Sequence, residues 1–470
     1  MAAPSVNITV TNGGLGNAPP SPSQTVAVFG CSSAGTANVV SGPYSSVSKL
    51  ITDYGYGPGV ESAAALIAAG AQPLFVKTPS TTPGSSSAVV KTGTAGLSVM
   101  TVSVGVAYDR YNVIVTITRS GTVGSGIPGG FTYSLDGGVT TSLEVRMPVS
   151  GDYVIPNTGL TIHFTAATIG AGDTYTFTTI APAWGNSDLT AAALALQQST
   201  KIAGLIHVVG PMNATAAGVL NTALAAFPTN KKFIRAIVET VDFTSTESAW
   251  ITTIETDYAL FTSDYIAVAA GPILYPSVIS GVNYRRSCAF PAIVRAAQIA
   301  ISQSIGEVSL GALPSVTTVY HDEYAVPGLD ASRFMTTTSI PGLTGYYIQR
   351  PLMMYSVGSD FTELQYGRVM DEACRIVYSY FVQRLNSRVR LNPTTGFILE
   401  KDARALESGC YTQLQSGLLN TGDANAASVA VARNDAIQST KTLTVTVKVQ
   451  PVGYSEFINV TIGFVAALAA

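Results

Sequence analysis

Few side chains in this 470-residue chain have wide chemical reach: three histidines and four cysteines. His321 stands in the run His321-Asp322-Glu323, whose residue types suit a metal or acid–base site. Adjacent loop side chains diverge, and no second cluster in the sequence completes a ligand set. His163 and His207 fall inside alternating apolar runs, where a packed, hydrogen-bonded imidazole is the ordinary outcome. Cys31, Cys288, Cys374 and Cys410 form no CxxC pair and match no zinc spacing, so they read as free buried thiols. A disulfide, within or between subunits, would need later exposure to an oxidising medium. GxSxG, GxxxxGK[ST] and HExxH patterns do not occur. Gly13-Gly14-Leu15-Gly16 follows a strand pattern but leads into Pro19-Pro20 and not into a helix, so it offers no phosphate seat. No catalytic residue, metal ligand or cofactor is assigned, and an enzyme is not expected.

One electrostatic feature is left. Arg384, Arg388, Arg390, Lys401 and Arg404 gather around the end of one expected helix and the start of the next. Cations suit the negative C-terminal end of a helix. The other reading is a basic patch facing an acidic partner.

The elements that carry these residues alternate between two textures. From Gln24 the chain reads as α/β: strand Val26 to Gly30, helices Tyr44 to Tyr54 and Gly59 to Ala69, strand Pro73 to Lys77. Residues 79–87 have linker composition. From Val89 to Ile180 short alternating segments with Gly-rich turns, Asp136-Gly137-Gly138 among them, suggest a small β-sandwich of about 95 residues. The α/β rhythm resumes with a helix capped by Ser187 or Asp188 and running to Gln198. Strands at 205–209, 233–238 and 265–270 then alternate with helices from Ala214 to Phe227 and from Thr244 to Leu260. A helix from Pro291 to Gly306 follows, then a long one capped by Asp360 and running toward Arg388, then Glu400 to Leu419, then a polar connector from Ala424 to Ile437.

Both ends of the chain carry β patterns. Val6, Ile8 and Val10 alternate with Asn7, Thr9 and Thr11. Near the other end Leu443, Val445, Val447 and Val449 form one strand pattern, and Ile458, Val460, Ile462 and Phe464 another. A lone strand on a tether cannot satisfy its own backbone and must join a sheet edge, in this chain or a neighbour. The tether from Thr11 to Ser23 reaches roughly 43–47 Å when stretched.

Only 11% of residues are charged, against roughly 25% in ordinary soluble proteins. A chain so poor in charge must hide much of its surface, which favours a large assembly or a β-rich extracellular protein. The net charge of −3 offers no nucleic acid a basic face. No basic, then apolar leader and no run of about 18 apolar residues is visible, so assembly in a cytoplasm without membrane insertion is expected.

In its order of parts the chain resembles the sheath subunit of a contractile phage tail or a related contractile injection machine. The resembling residues are those of the helix around Arg368–Arg390, Asn392-Pro393-Thr394-Thr395-Gly396, Asn434-Asp435, the strands Leu443–Val449 and Glu456–Phe464, and Val26-Ala27-Val28-Phe29-Gly30 through Tyr54-Gly55. The resemblance implies an N-terminal strand arm and linker (1–23), a discontinuous α/β domain (24–85 and 183–355), an inserted, outward-facing β-domain (86–182) and a C-terminal sheath domain with terminal strand arms (356–470). It implies stacked hexameric rings around an inner tail tube, in a virion tail assembled in the host cytoplasm, with tube, baseplate and tail terminator proteins as partners. Val6, Ile8, Val10, Leu443, Val445, Val447, Val449, Ile458, Val460, Ile462 and Phe464 would form the exchanged arms, and the arginine cluster would face the tube. The alternatives are an α/β enzyme with a β accessory domain, its pocket near Gly30, Gly210 or Gly271, and a capsid- or adhesin-type surface protein.

Overall fold

The computed structural model describes residues 23–460 apart from 105 and 244; the expected N-terminal strand, with Val6, Ile8 and Val10, and Ile462 and Phe464 lie outside these residues. The chain forms two compact units that meet at Arg375 and Ile376.

The first unit is built on a six-stranded sheet. Its order is Ile266–Ala269, Arg235–Thr240, Leu205–Met212, Val26–Gly30, Leu74–Lys77, Val40–Ser41. All neighbours are parallel except the last pair. Successive side chains of a strand point to opposite faces, so each strand feeds two cores. Val26, Val28, Phe75, Ile237 and Ala267 pack under helices α1 (Val47–Tyr54) and α2 (Pro58–Ala68) and the later helix Ala289–Gln298. Ala27, Phe29, Val76, Ile206 and Val238 face α3 (Asn186–Gln198), α4 (Ala214–Ala225) and α5 (Glu247–Tyr258). Covering on both faces explains why these strands read as near-continuous apolar runs.

Between Lys77 and α3 the regular elements among the described residues are all strands. One sheet joins Val145–Arg146, Gly130–Ser134, Asn112–Arg119 and Thr174–Ile180; a second joins Asp152–Ile155, Leu160–Phe164 and Met100–Val104. Val113, Val115, Phe131 and Tyr175 of the first meet Ile155, Ile162 and Phe164 of the second in a shared core. The stretch read as a linker is not slack: Thr82 and Ala183 exchange two backbone hydrogen bonds of 2.9 Å. Gly137 and Gly138, at φ 75° and 100°, make the expected tight turn, a conformation L side chains avoid.

Several helix limits differ from the sequence reading. The helix after α5, α6 (Ala289–Gln298), stops eight residues before Gly306, because Ile299 turns extended at φ −94°, ψ 161°. Ile301 and Ile305 are buried in the following loop, which mimicked helical spacing. α5 is capped by Thr246 and α3 starts at Gly185, whose N–H donates to Asp188 at 2.7 Å. Asp360 does not cap the long helix α7 (Leu364–Val382), which also ends before Arg388; turns follow Val382, with Asn386 left-handed at φ 59°.

The second unit holds α8 (Glu400–Leu414), which runs on as a π-turn over Gln415–Leu419, and a two-stranded antiparallel sheet of Ala424–Val431 and Val445–Pro451. Gly409 lets Tyr380 lie against α8; a Cβ there would collide with the Tyr380 hydroxyl.

Candidate assembly interface

The two-stranded sheet corrects one expectation. Ala424 to Ile437 was expected to be a polar connector, yet its first eight residues form a strand. Asn425, Ala426, Ser428 and Ala430 are poor strand formers. The ladder comes from the valine-rich partner: Val429 faces Val447 and Val431 faces Val445. One face of this sheet is half-buried, with Val431 packing on Ile398 and Ala403 and flanked by Val389, Leu406, Leu443 and Val445. The other face, Ser428, Ala430, Thr446, Lys448 and Gln450, is exposed.

Neither outer edge of this sheet pairs with another strand among the described residues. Each edge is therefore open to a further strand, although at Val431 Glu407 takes the N–H and Arg433 the C=O. Residues 452–460 form no strand within this chain, and the rest of the expected second terminal strand, with Ile462 and Phe464, lies outside the described residues. Phe457, Ile458 and Val460 are 84%, 77% and 72% exposed, far outside any core of this chain.

The basic cluster breaks up into local pairs. Arg390 Nε donates to Asp402 at 2.9 Å and Arg404 Nε to Glu400 at 2.6 Å. Arg384 lies over the Tyr380 ring, 3.4 Å from its centroid. Arg388 and Lys401 are exposed. Arg433, which sequence reasoning missed, joins the sheet to α8: its guanidinium donates to Glu400 (2.7 Å) and Glu407 (2.6 Å), while Glu407 also accepts the Val431 N–H at 2.8 Å. Hydrogen bonds from Arg433 and Arg404 hold the Glu400 carboxyl down to about 2. The signal was weak, a single arginine beside Asn434-Asp435 with no periodicity around it.

Enzyme chemistry finds a partial constellation. Ser62 Oγ lies 2.7 Å from His207 Nδ1, and His207 Nε2 lies 3.2 Å from Glu239 Oε1. A serine hydrolase sets the hydroxyl against Nε2 and the acid against Nδ1; here the order is reversed, and the histidine–glutamate contact is not aligned as a hydrogen bond. Ser62, His207 and Glu239 are 1%, 0% and 8% exposed, so no substrate reaches the hydroxyl. The strand ends that would hold a ligand in an open α/β sheet are filled. α2 rests directly on the first strand, so a Cβ on Gly59 would sit 2.9 Å from Gly30 Cα. Trp184 covers Gly210 and donates to Val209 O at 2.9 Å, while Thr337 and Cys288 flank Gly271.

His321 is buried between carboxylates, Nδ1 2.8 Å from Glu247 and Nε2 3.1 Å from Glu323. Burial opposes its charge, but the two carboxylates raise its pKa above the usual value. Glu323 is also held by the Gly328 and Asp330 N–H groups, so the run ties a loop to α5. His163 pairs with Asp152 across neighbouring strands at 2.8 Å. Cys31, Cys288 and Cys410 are buried, Cys374 is half-buried, and all four are free. No group of three or more metal-ligating side chains occurs among the described residues.

The fold has known relatives. It superposes on the helical sheath of the anti-feeding prophage in its contracted state, with a TM-score of 0.54 at 11% identity, over 98% of this chain and 99% of that one. A chain of the contracted anti-feeding prophage baseplate gives 0.53 at 12% identity over 98% of each chain, and the sheath tail protein of Listeria innocua 0.50 at 12% identity over 92% of each. At such identities the likeness establishes the fold, that of contractile sheath proteins. No curated protein matches the sequence. The DUF2586 N-terminal domain model matches residues 3–350 and the DUF2586 C-terminal domain model residues 360–469. The chain, with a sheath fold and an open-edged terminal sheet, belongs to the DUF2586 family.

Proposed function

We propose that this chain is the sheath subunit of a contractile tail or injection apparatus, polymerising as stacked hexameric rings around an inner tube and contracting to drive that tube through an envelope. The observation that carries the reading is the sheet of Ala424–Val431 and Val445–Pro451, whose two outer edges lack a strand partner among the described residues. Edges of this kind are filled in stable assemblies by strand addition. The N-terminal pattern at Val6, Ile8 and Val10 and the C-terminal pattern at Ile458, Val460, Ile462 and Phe464 have the alternation to fill them from neighbouring copies. Each Val or Ile buried this way contributes about 1.5–3 kcal/mol, less the cost of ordering the arm.

In this reading Leu443, Val445, Val447 and Val449 stay at home as the acceptor, and the strand-rich segment of residues 86–182 is an insertion on the outer surface. Arg388 and Lys401, with the paired Arg384, Arg390 and Arg404, face the tube. Baseplate and terminator proteins cap the polymer in a phage tail or phage-like particle assembled in the cytoplasm. Interfaces that exchange strands hold rings together while rigid bodies turn past one another. The test is electron microscopy of the purified chain with and without residues 1–20. Tubes from the full chain and only rings or single subunits from the shortened one support the reading; equal tubes from both remove the arm's role.

A further inference from the structure

Three charged side chains meet where the strand-rich segment joins the parallel sheet. Asp109 precedes the strand Asn112–Arg119; Arg286 lies on the strand Asn283–Ser287; Glu61 lies on α2. All three are buried, at 2%, 8% and 9% exposure. Arg286 grips Asp109 with both terminal nitrogens, at 2.7 and 2.5 Å, and stacks on Tyr284 and Phe290. Tyr284 in turn meets Tyr111, ring centres 5.9 Å apart, inside the core of the strand-rich segment. Glu61 accepts a hydrogen bond from Ser277 Oγ at 2.9 Å, and Ser277 sits at the turn between the strands Pro272–Pro276 and Asn283–Ser287. The charged and titratable groups facing Glu61 are thus Arg286, Asp109, Tyr284, Tyr111 and Tyr275.

One guanidinium cannot neutralise two carboxylates. Arg286 is committed to Asp109 in bidentate geometry, which leaves Glu61 a serine hydroxyl and a low-dielectric surrounding. An uncompensated buried charge is costly, so the group takes a proton instead. We propose that Glu61 is a pH-dependent latch: protonated, it closes the junction between the strand-rich segment and the parallel sheet, and ionised, it loosens that junction. Burial, opposed by Arg286 and aided by Asp109, pushes the Glu61 carboxyl up to about 7 from its ordinary 4.5. A carboxyl raised in the folded state stabilises fully below the unfolded value, and that contribution is lost as pH rises through the folded one. The working window is therefore between about pH 4.5 and 7, its upper end at neutrality. The latch does not depend on the assembly reading, since every group belongs to one unit of one chain.

Hydrogen exchange on the full chain tests it, following peptides that cover Tyr111 and Tyr284. Between about pH 5.5 and pH 8 the opening constant of these peptides rises about thirty-fold in the wild type, after correction for intrinsic exchange. In Glu61→Gln, which keeps the size and the bond to Ser277, the rise is under about threefold by the same relation. Asp109→Asn frees Arg286 for Glu61, and the wild-type midpoint then moves down by about one pH unit or more. An equal rise in wild type and Glu61→Gln, or a flat wild type, overturns the proposal, and so does an unmoved midpoint in a folded Asp109→Asn.

Discussion

Replacing Asp109 by alanine should unfold the first unit far more readily than the loss of its hydrogen bonds to Arg286 and to the Arg110 N–H alone suggests. The carboxylate holds Arg286 by two hydrogen bonds, and that guanidinium is buried under Tyr284 and Phe290. Removing one member of a buried pair leaves the other desolvated and uncompensated, at about 3–5 kcal/mol. Glu61 lies close enough to recover part of this, so about 3 kcal/mol is the expected value for Asp109→Ala. Arg286→Met should cost at least as much, because two acids then share the junction without a cation. The double variant Asp109→Leu with Arg286→Met replaces the pair by apolar atoms and should lie within about 2 kcal/mol of wild type. With Asp109→Leu as the matching single variant, at a loss like that of Asp109→Ala, the coupling across the cycle is then about 4 kcal/mol or more. Urea unfolding followed by tryptophan emission suits the measurement, since both tryptophans, Trp184 and Trp250, pack against the parallel sheet. Single-variant losses below about 1 kcal/mol, the level of an exposed pair, would show that the junction is solvated and the reasoning wrong.

Further expectations concern other elements. His321 donates to two carboxylates and titrates above its ordinary value, so its contribution is fully present below about pH 6.5 and is lost as pH rises through the raised value. Thermal unfolding at about pH 6 and pH 9 should show a loss in wild type that shrinks in His321→Gln; identical losses would remove the histidine from the account. Gly59→Ala gains about 1 kcal/mol of helix propensity, but its methyl meets backbone that cannot yield, at a cost of about 1–3 kcal/mol. A net stabilisation in urea would mean that α2 does not touch Gly30. Charge reversal at Arg388 together with Arg390 should weaken co-assembly with the inner tube several-fold in a sedimentation assay, with unchanged co-sedimentation discarding a tube-facing role.

Legibility followed the range of the interactions. The parallel strands and their helices stand out in the sequence because doubly covered strands are continuous apolar runs, such as Val26-Ala27-Val28-Phe29. Where partners are distant the signal fades. Ala424–Val431 reads as polar because its strand character is lent by Val445, Val447 and Val449, which follow a turn. Ile301 and Ile305 keep helical spacing inside a folded loop. Asp109 and Arg286 lie 177 positions apart and nothing local to either foretells the pair. Arg390 and Arg404 counted as a basic patch in one dimension, yet each meets an acid of α8 in three.

The central claim is that the open edges of the Ala424–Val431 and Val445–Pro451 sheet are completed by other copies of this chain. Cryo-electron microscopy of the assembled protein, at a resolution that traces connectivity, measures this directly. The account predicts tubes in which at least one edge of that sheet carries a strand continuous with a different subunit. Tubes in which both edges stay bare, or are filled by the subunit's own termini, would contradict it.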